Sequence, residues 1–374
     1  MICNYYDSKK CLSCQWITKP YGEQINDKQT QLSHQLFPHH PKIIFEPVTS
    51  SESAFRNKAK MAVLGTVEKP ILGIMTNGEP IDLCDCPLYS TLMCDTLYNV
   101  RELIKKLALV PYNIRKKKGE IKFVILTQAD DKFMLRLVLR SDKDHNKIAN
   151  AIEYIQQTIP QITVVSINIQ PDHAAIIEGS QEFILTKQNQ LPITLNNVPL
   201  FMLKGSFFQT NTHVASQLYA TAQKWLEPFS INIIWDLFCG VGGFGLHCVD
   251  KNRELVGIEI NPGAIKCAEL SAKLMGYDKI RFQSLDANKF ALSKPESKPD
   301  VILVNPPRRG LGNMLANYLQ SVLPKYILYS SCNLDSLVID LTYLNNYQIE
   351  MVQLFDMFPH TDHMEVLVML KRID

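Results

Sequence analysis

The chain has 374 residues, 46% of them hydrophobic and 20% charged, values of an ordinary globular protein with apolar material for two cores. Its 39 basic and 37 acidic residues leave a net charge of +2, so bulk charge singles out no partner and any case for nucleic acid rests on local clusters. The longest uncharged run in the most apolar region, 237–249, is too short to cross a bilayer, and the N-terminus lacks an apolar signal core. A cytoplasmic protein without membrane association is expected, and its ten cysteines call for metal, catalysis or burial rather than disulfides.

In chain order, residues 1–50 read as irregular and polar. They hold Cys3, Cys11 and Cys14 in C-x7-C-x2-C spacing. From 51 to about 200 the pattern is mixed. Strands are expected at 61–64, 71–75, 121–127, 133–139 and 162–169, with helices at 92–109 and 146–159, the second stopped by Pro160. Strands outnumber helices there, which predicts an α+β layer. Arg56, Lys58 and Lys60, and then Arg115, Lys116, Lys117 and Lys118, form local basic clusters that suit phosphates or, equally, a solvated face. From 201 onward short β-rich runs at 233–238, 255–260, 280–282, 301–304 and 327–330 alternate with helical stretches near 262–275 and 313–322. Such alternation predicts a parallel sheet wrapped by helices. The last two runs, 349–354 and 366–370, leave no room for a helix between them and predict an antiparallel hairpin on the sheet edge.

The segment Asp236-Leu237-Phe238-Cys239-Gly240-Val241-Gly242-Gly243-Phe244-Gly245 follows one strand and opens a helix. Its glycines let the backbone turn tightly and approach a ligand, and Glu259, at the end of the next strand, suits ribose hydroxyls. A nicotinamide dinucleotide would use the same features. The terminal hairpin, in place of a second βαβαβ half, and Asn305-Pro306-Pro307-Arg308 after the fourth strand favour S-adenosylmethionine instead. Cys332, in Ser330-Ser331-Cys332-Asn333 at the end of the fifth strand, is a nucleophile candidate, though a lone cysteine is commonly a small buried residue. Phe358-Pro359-His360-Thr361-Asp362-His363-Met364-Glu365 offers Glu365 as a base near the same edge. Its His360, His363 and Glu365 also allow a metal reading, and the stretch allows a plain surface loop. The N-terminal cysteines with Cys84 or Cys86 could bind zinc or a [4Fe–4S] cluster, and spacing does not decide between them.

Gln209 within Ser206-Phe207-Phe208-Gln209-Thr210-Asn211, the glycine loop, the Asn-Pro-Pro-Arg segment, Ser331-Cys332-Asn333 and the 358–365 segment occur in the order found in the RNA uracil-C5 methyltransferases. The chain resembles that family over nearly its whole length, the N-terminal cysteines included. The resemblance implies a class I Rossmann-like methyltransferase domain at 201–374, a parallel sheet with a C-terminal antiparallel hairpin. It implies an RNA-binding α+β domain at 51–200 and an irregular iron–sulfur segment at 1–50 whose fourth ligand lies near 86. Residues Gln209, Phe238, Glu259 and Asn305 would bind S-adenosylmethionine, Cys332 would be the nucleophile and Glu365 the base. Cys3, Cys11, Cys14 and Cys86 would hold a [4Fe–4S] cluster, the family using the cysteine before proline rather than Cys84. The substrate implied is one uracil of 23S rRNA, position 747, with no obligate protein partner. A tRNA uracil-C5 methyltransferase and a non-catalytic, metal-stabilised RNA-binding protein are the alternatives. Many relatives carry Asp where this chain has Asn305; an amide both donates and accepts hydrogen bonds, which suits positioning rather than proton transfer.

The chemistry explains the paired residues. C5 of uracil is too electron-poor to attack a methyl donor until a thiolate adds to C6 and turns the ring into an enolate. A base must then take the C5 proton so that the thiolate can leave.

Overall fold

A computed structural model describes residues 1–173, 176–206, 208–292 and 298–373. Phe207, in the segment that carries Gln209, lies outside the described residues. The chain divides into two units, Met1–Cys14 with Glu52–Pro192 and Gln15–Ser51 with Ile193–Asp374.

The first unit is built on a seven-stranded sheet in the order Glu79–Asp82, Pro70–Thr76, Lys58–Gly65, Ile121–Ala129, Lys132–Leu139, Ile162–Ile169, Gln181–Ile184. Its neighbours are antiparallel except Lys132–Leu139 with Ile162–Ile169, which run parallel. A parallel pair needs a crossover, and the chain supplies one through the helices His145–Ala149 and Ile152–Thr158, where a single helix is expected from the sequence. Helix Thr91–Lys106 starts at Ser90, whose hydroxyl accepts the Met93 N–H at 3.2 Å, and it buries Met93, Leu97, Val100, Leu103 and Ile104. Along Lys58–Gly65, Ala59, Met61 and Val63 enter the same core while Ala62 and Leu64 face away from it, the period-two signature of a strand.

The second unit carries an eight-stranded sheet in the order Ile43–Ile44, Tyr347–Phe355, Glu365–Arg372, Tyr326–Ser331, Val301–Val304, Ile233–Leu237, Glu254–Glu259, Ile280–Ser284. The last five strands in that order pair in parallel. Glu365–Arg372 pairs antiparallel with both its neighbours, as the expected hairpin edge requires. The strand order reverses at Ile233–Leu237 and Val301–Val304, so a crevice opens at their carboxyl ends, the position at which such sheets bind ligands. Before this unit's sheet begins, Gln190–Leu195 and Val198–Leu203 form a hairpin. Its turn residues, Asn196 and Asn197, both take positive φ, the conformation of a tight two-residue turn.

One expectation needs correction. Residues 1–50 are not irregular throughout: Tyr21–Leu36 is a sixteen-residue helix with Leu32 and Leu36 in the second unit's core. Its buried stripe runs through Gln24, Ile25, Lys28, Leu32 and Leu36. Two polar residues sit on that stripe, and they hide the apolar period by which an amphipathic helix is recognised. Among the described residues no helix is long and apolar enough to cross a membrane.

Candidate active site

Strand Ile233–Leu237 delivers Asp236 into the core and Phe238 to the crevice. Phe238 holds φ at +70°, a left-handed conformation rare for a bulky residue and costly enough to mark a functional turn. Gly240 and Gly242 follow at +55° and +89°. The buried Asp236 carboxylate accepts the Gly245 N–H at 2.9 Å, and a methyl group at Gly245 would lie 2.8 Å from that carboxylate, so glycine is required there. Burial, opposed by this hydrogen bond and reinforced by the charge of Glu259, lifts Asp236 to about 7. Glu259 in turn accepts the backbone N–H of Gly240 at 3.2 Å and of Asn261 at 2.9 Å, which fixes its carboxylate at the end of its strand.

These residues open onto a cavity of about 590 Å³. All six residues expected from the sequence to bind the cofactor or to react, Gln209, Phe238, Glu259, Asn305, Cys332 and Glu365, line it. A side chain at Gly240 would meet nothing within 4 Å, so the loop leaves space at the wall it forms. The volume lies within the range of small-molecule sites, about 300–1,000 Å³. A nucleoside-type ligand with an acid for its ribose and a glycine turn for its close approach fits this set of groups.

On the wall of the same cavity the ladder between Tyr326–Ser331 and Glu365–Arg372 brings Cys332 and Glu365 together. Ser331 pairs with Val366 across the antiparallel ladder, so Cys332 and Glu365 are the next residues on each strand. Glu365 is fully buried, and desolvation raises it from 4.5 to about 7 against the opposing hydrogen bond donated by the Ser330 hydroxyl. Cys332 is half-buried. Its thiol is pushed up by burial and by the Glu365 charge, and pulled down by the charge and hydrogen bond of Arg308. Arg308 belongs to a loop held on two sides. Its carbonyl accepts from Asn333 Nδ2 at 2.9 Å, and the buried Asp340 carboxylate accepts the N–H groups of Leu311 at 2.7 Å and Gly312 at 3.2 Å. Cys332 also borders a second, more open pocket of about 230 Å³ shared with Arg308, Asn333 and His363, so the sulfur is reachable from outside the cofactor-sized cavity.

The segment before Glu365 is anchored by the unexpected helix. Lys28 and Asp356 form an ion pair at 2.6 Å with both side chains fully buried, and Lys28 also donates to the Phe358 carbonyl at 3.2 Å. Gln24 accepts the His360 backbone N–H at 2.8 Å and meets its Nδ1 at 3.2 Å. His360 takes φ of +65° and is buried, whereas His363 is exposed beside Asp362. The metal reading of His360, His363 and Glu365 therefore fails: the three side chains occupy different environments and, among the described residues, no group of three or more His, Cys, Asp or Glu forms a single-ion site. In the sequence Arg308 and Ser330 stand out only as members of their motifs, and Gln24 and Lys28 do not stand out at all. A polar pair on a helical stripe was the available signal for the last two.

The first unit holds the N-terminal thiols. Cys14 rises to about 11 through burial and then through the charges of Cys11 and Cys3. Cys86 rises to about 12 through burial, with Cys14, Cys3 and Cys11 adding to it against a backbone hydrogen bond at Leu88. Cys14 and Cys86 thus each lie close enough to the other N-terminal sulfurs to feel their charge, though among the described residues the cysteines form no group arranged to hold a metal ion. Cys84 is raised chiefly by burial, and the charges around it are those of Asp82, Arg101 and Cys94 instead.

The sequence profile of the tRNA (uracil-5-)-methyltransferase family matches residues 20–373. The 23S rRNA (uracil(747)-C(5))-methyltransferase RlmC of Yersinia enterocolitica is 48% identical over 373 residues, 99% of either chain. The protein of the same description from Xenorhabdus nematophila is also 48% identical over 99% of either chain. Among solved structures, the tRNA (uracil-54, C5)-methyltransferase of Pyrococcus abyssi, in complex with S-adenosyl-L-homocysteine, superposes with a TM-score of 0.78. That match covers 96% of this chain and 86% of the other at 21% identity, a likeness of fold.

Proposed function

The chain belongs to the tRNA (uracil-5-)-methyltransferase family, and from that premise we propose that it transfers a methyl group from S-adenosylmethionine to C5 of a uracil in 23S rRNA, position 747 being the site its relatives name. The observation that carries the reading is the pairing of Cys332 with Glu365 at the end of one β-ladder, on the wall of a nucleoside-sized cavity.

When bound, S-adenosylmethionine supplies an electrophilic methyl group on a sulfonium. Gln209, Phe238, Glu259 and Asn305 would hold it, the Glu259 carboxylate offering acceptors for ribose hydroxyls. The Cys332 thiolate adds to C6 of the uracil, forming a C–S bond and moving the ring electrons toward C5 and O4. After C5 has gained the methyl group, the Glu365 carboxylate takes the C5 proton. The electron pair of that C–H bond restores the C5–C6 double bond and expels the thiolate. A buried carboxylate near 7 is poised for this task at neutral pH, charged often enough to accept the proton and basic enough to hold it. Arg308 favours the thiolate form of Cys332, and Ser330 orients Glu365.

Cys3, Cys11, Cys14 and Cys86 carry a [4Fe–4S] cluster in this reading. The proximity of Cys3 and Cys11 to Cys14, and of all three to Cys86, supports it, as does the different set of charges around Cys84. The first unit grips RNA, and the protein works in the cytoplasm. Protein purified without oxygen, incubated with unmodified 23S rRNA and a labelled methyl donor, is expected to place one methyl on a uracil of the rRNA. Labelling of tRNA alone would favour the tRNA enzyme and remove the substrate assignment.

A further inference from the structure

A second cavity, of about 520 Å³, lies wholly within the first unit, on the sheet face turned away from helix Thr91–Lys106. Ala62 and Phe123, paired across two strands, form its base, and the exposed Met75 forms part of its wall. Tyr112 and His173 lie side by side at one edge, their ring planes 7° from parallel and centroids 6.0 Å apart, joined by a hydrogen bond between the Tyr112 hydroxyl and His173 Nδ1; His173 is exposed and so extends the buried tyrosine ring outward.

The cavity is bordered by one carboxylate, Asp172, and by cations of two kinds. Lys122 sits 4.8 Å from the Tyr112 ring, but its ammonium donates to the Gln170 and Asp172 carbonyls at 2.8 and 2.5 Å and to the Gln170 side chain. Its three protons are committed, so it lends positive potential without a donor for an anion inside the cavity. Arg115, Lys116, Lys117 and Lys118, by contrast, are all exposed on the turn that borders the cavity. Among the described residues none of the four is in an ion pair. A largely apolar cavity edged by two aromatic rings, with Arg115 in its wall and the exposed Lys116, Lys117 and Lys118 beside it, matches an unstacked base flanked by phosphates. Rings take the base and cations take the backbone. A helix of A-form RNA could reach the cations but would leave the cavity unused.

We propose that this cavity is a second nucleobase site, which captures an unpaired base of the RNA substrate other than the uracil being methylated, while Arg115, Lys116, Lys117 and Lys118 hold its flanking phosphates. The proposal rests on the RNA-methylating reading above and adds to it a determinant of substrate choice in the first unit.

The test uses the full-length protein, saturating S-adenosylmethionine and an unmodified 23S rRNA fragment containing the target loop. Ala62→Phe fills the cavity without altering charge, and Met75→Ala opens its exposed wall with little risk to folding. Both are expected to raise KM for the fragment, Ala62→Phe by about tenfold, the loss of one stacked base, with kcat and S-adenosylmethionine affinity unchanged. Lys116→Glu with Lys118→Glu should also raise KM and, unlike Ala62→Phe, should flatten its dependence on salt. If wild type methylates the fragment and both cavity variants keep KM within about twofold, the pocket is not an RNA site; a peptide or small-molecule occupant would then be sought. If wild type fails to methylate rRNA at all, the substrate reading itself has failed and this proposal falls with it.

Discussion

Replacing Glu365 by glutamine should make the protein inactive and, at the same time, more stable above neutral pH. Glu365 is fully buried, and desolvation raises it from 4.5 to about 7. The native protein therefore binds a proton more tightly than the unfolded chain does. Below about pH 4.5 the group is neutral in both states and contributes no penalty. As pH rises through this window the native state must either keep a proton that the unfolded chain releases or bury a charge, and stability falls until about pH 7. At about 1.4 kcal/mol per tenfold change in acidity, the penalty reaches roughly 3 kcal/mol at about pH 8 and roughly 1 kcal/mol at about pH 5.5. Glutamine keeps the shape and can still accept from Ser330, but it never ionises. Urea unfolding of both proteins at the two pH values should show the variant gaining about 2 kcal/mol more at the higher pH. Asp236, also raised to about 7, is present in both proteins and cancels. The same titration should appear in wild-type turnover as a break near pH 7 that Glu365 sets, separate from the limb at higher pH that reports the Cys332 thiol. An equal stability gain at both pH values would refute the argument that Glu365 is held neutral by burial.

Arg308→Met removes the positive charge that favours the Cys332 thiolate, and the limb of the pH–rate profile that reports the thiol should move to higher pH while S-adenosylmethionine affinity stays constant. Lys28→Met leaves the Asp356 carboxylate buried and unpaired, a loss of about 3–5 kcal/mol in denaturant unfolding; Lys28→Met combined with Asp356→Leu should recover most of it. Anaerobically purified protein should carry iron and acid-labile sulfide with visible absorbance, and Cys14→Ser should lose both, whereas zinc in their place would overturn the cluster assignment.

The parallel sheet and its terminal hairpin were legible because their strands are short apolar runs separated by helical patterns, and because the gap between the last two is too small for a helix. Strand Ile162–Ile169 matches its expected bounds, while Lys58–Gly65 and Ile121–Ala129 run longer than expected, since polar residues at strand ends pair as readily as apolar ones. The glycine loop, Glu259, Cys332 and Glu365 could be named from their places at strand ends, and the cavity that gathers them follows from the sheet's switch point. Less visible were residues whose meaning depends on a distant partner. Lys28 looks like a surface lysine until Asp356, 328 positions away, is seen beside it, and Gln24 looks equally ordinary without the His360 loop. The left-handed conformation of Phe238 had no sequence signal either, because nothing in its side chain asks for it.

Attack by sulfur on C6 has a direct assay. RNA carrying 5-fluorouridine at the target allows addition and methylation, but fluorine cannot leave C5 as a cation, so the elimination step stops. After incubation with S-adenosylmethionine, mass spectrometry of the digested protein should find the methylated fluorouracil attached to the peptide bearing Cys332. Attachment at another cysteine, or undiminished methylation of ordinary RNA by Cys332→Ala, would contradict the account.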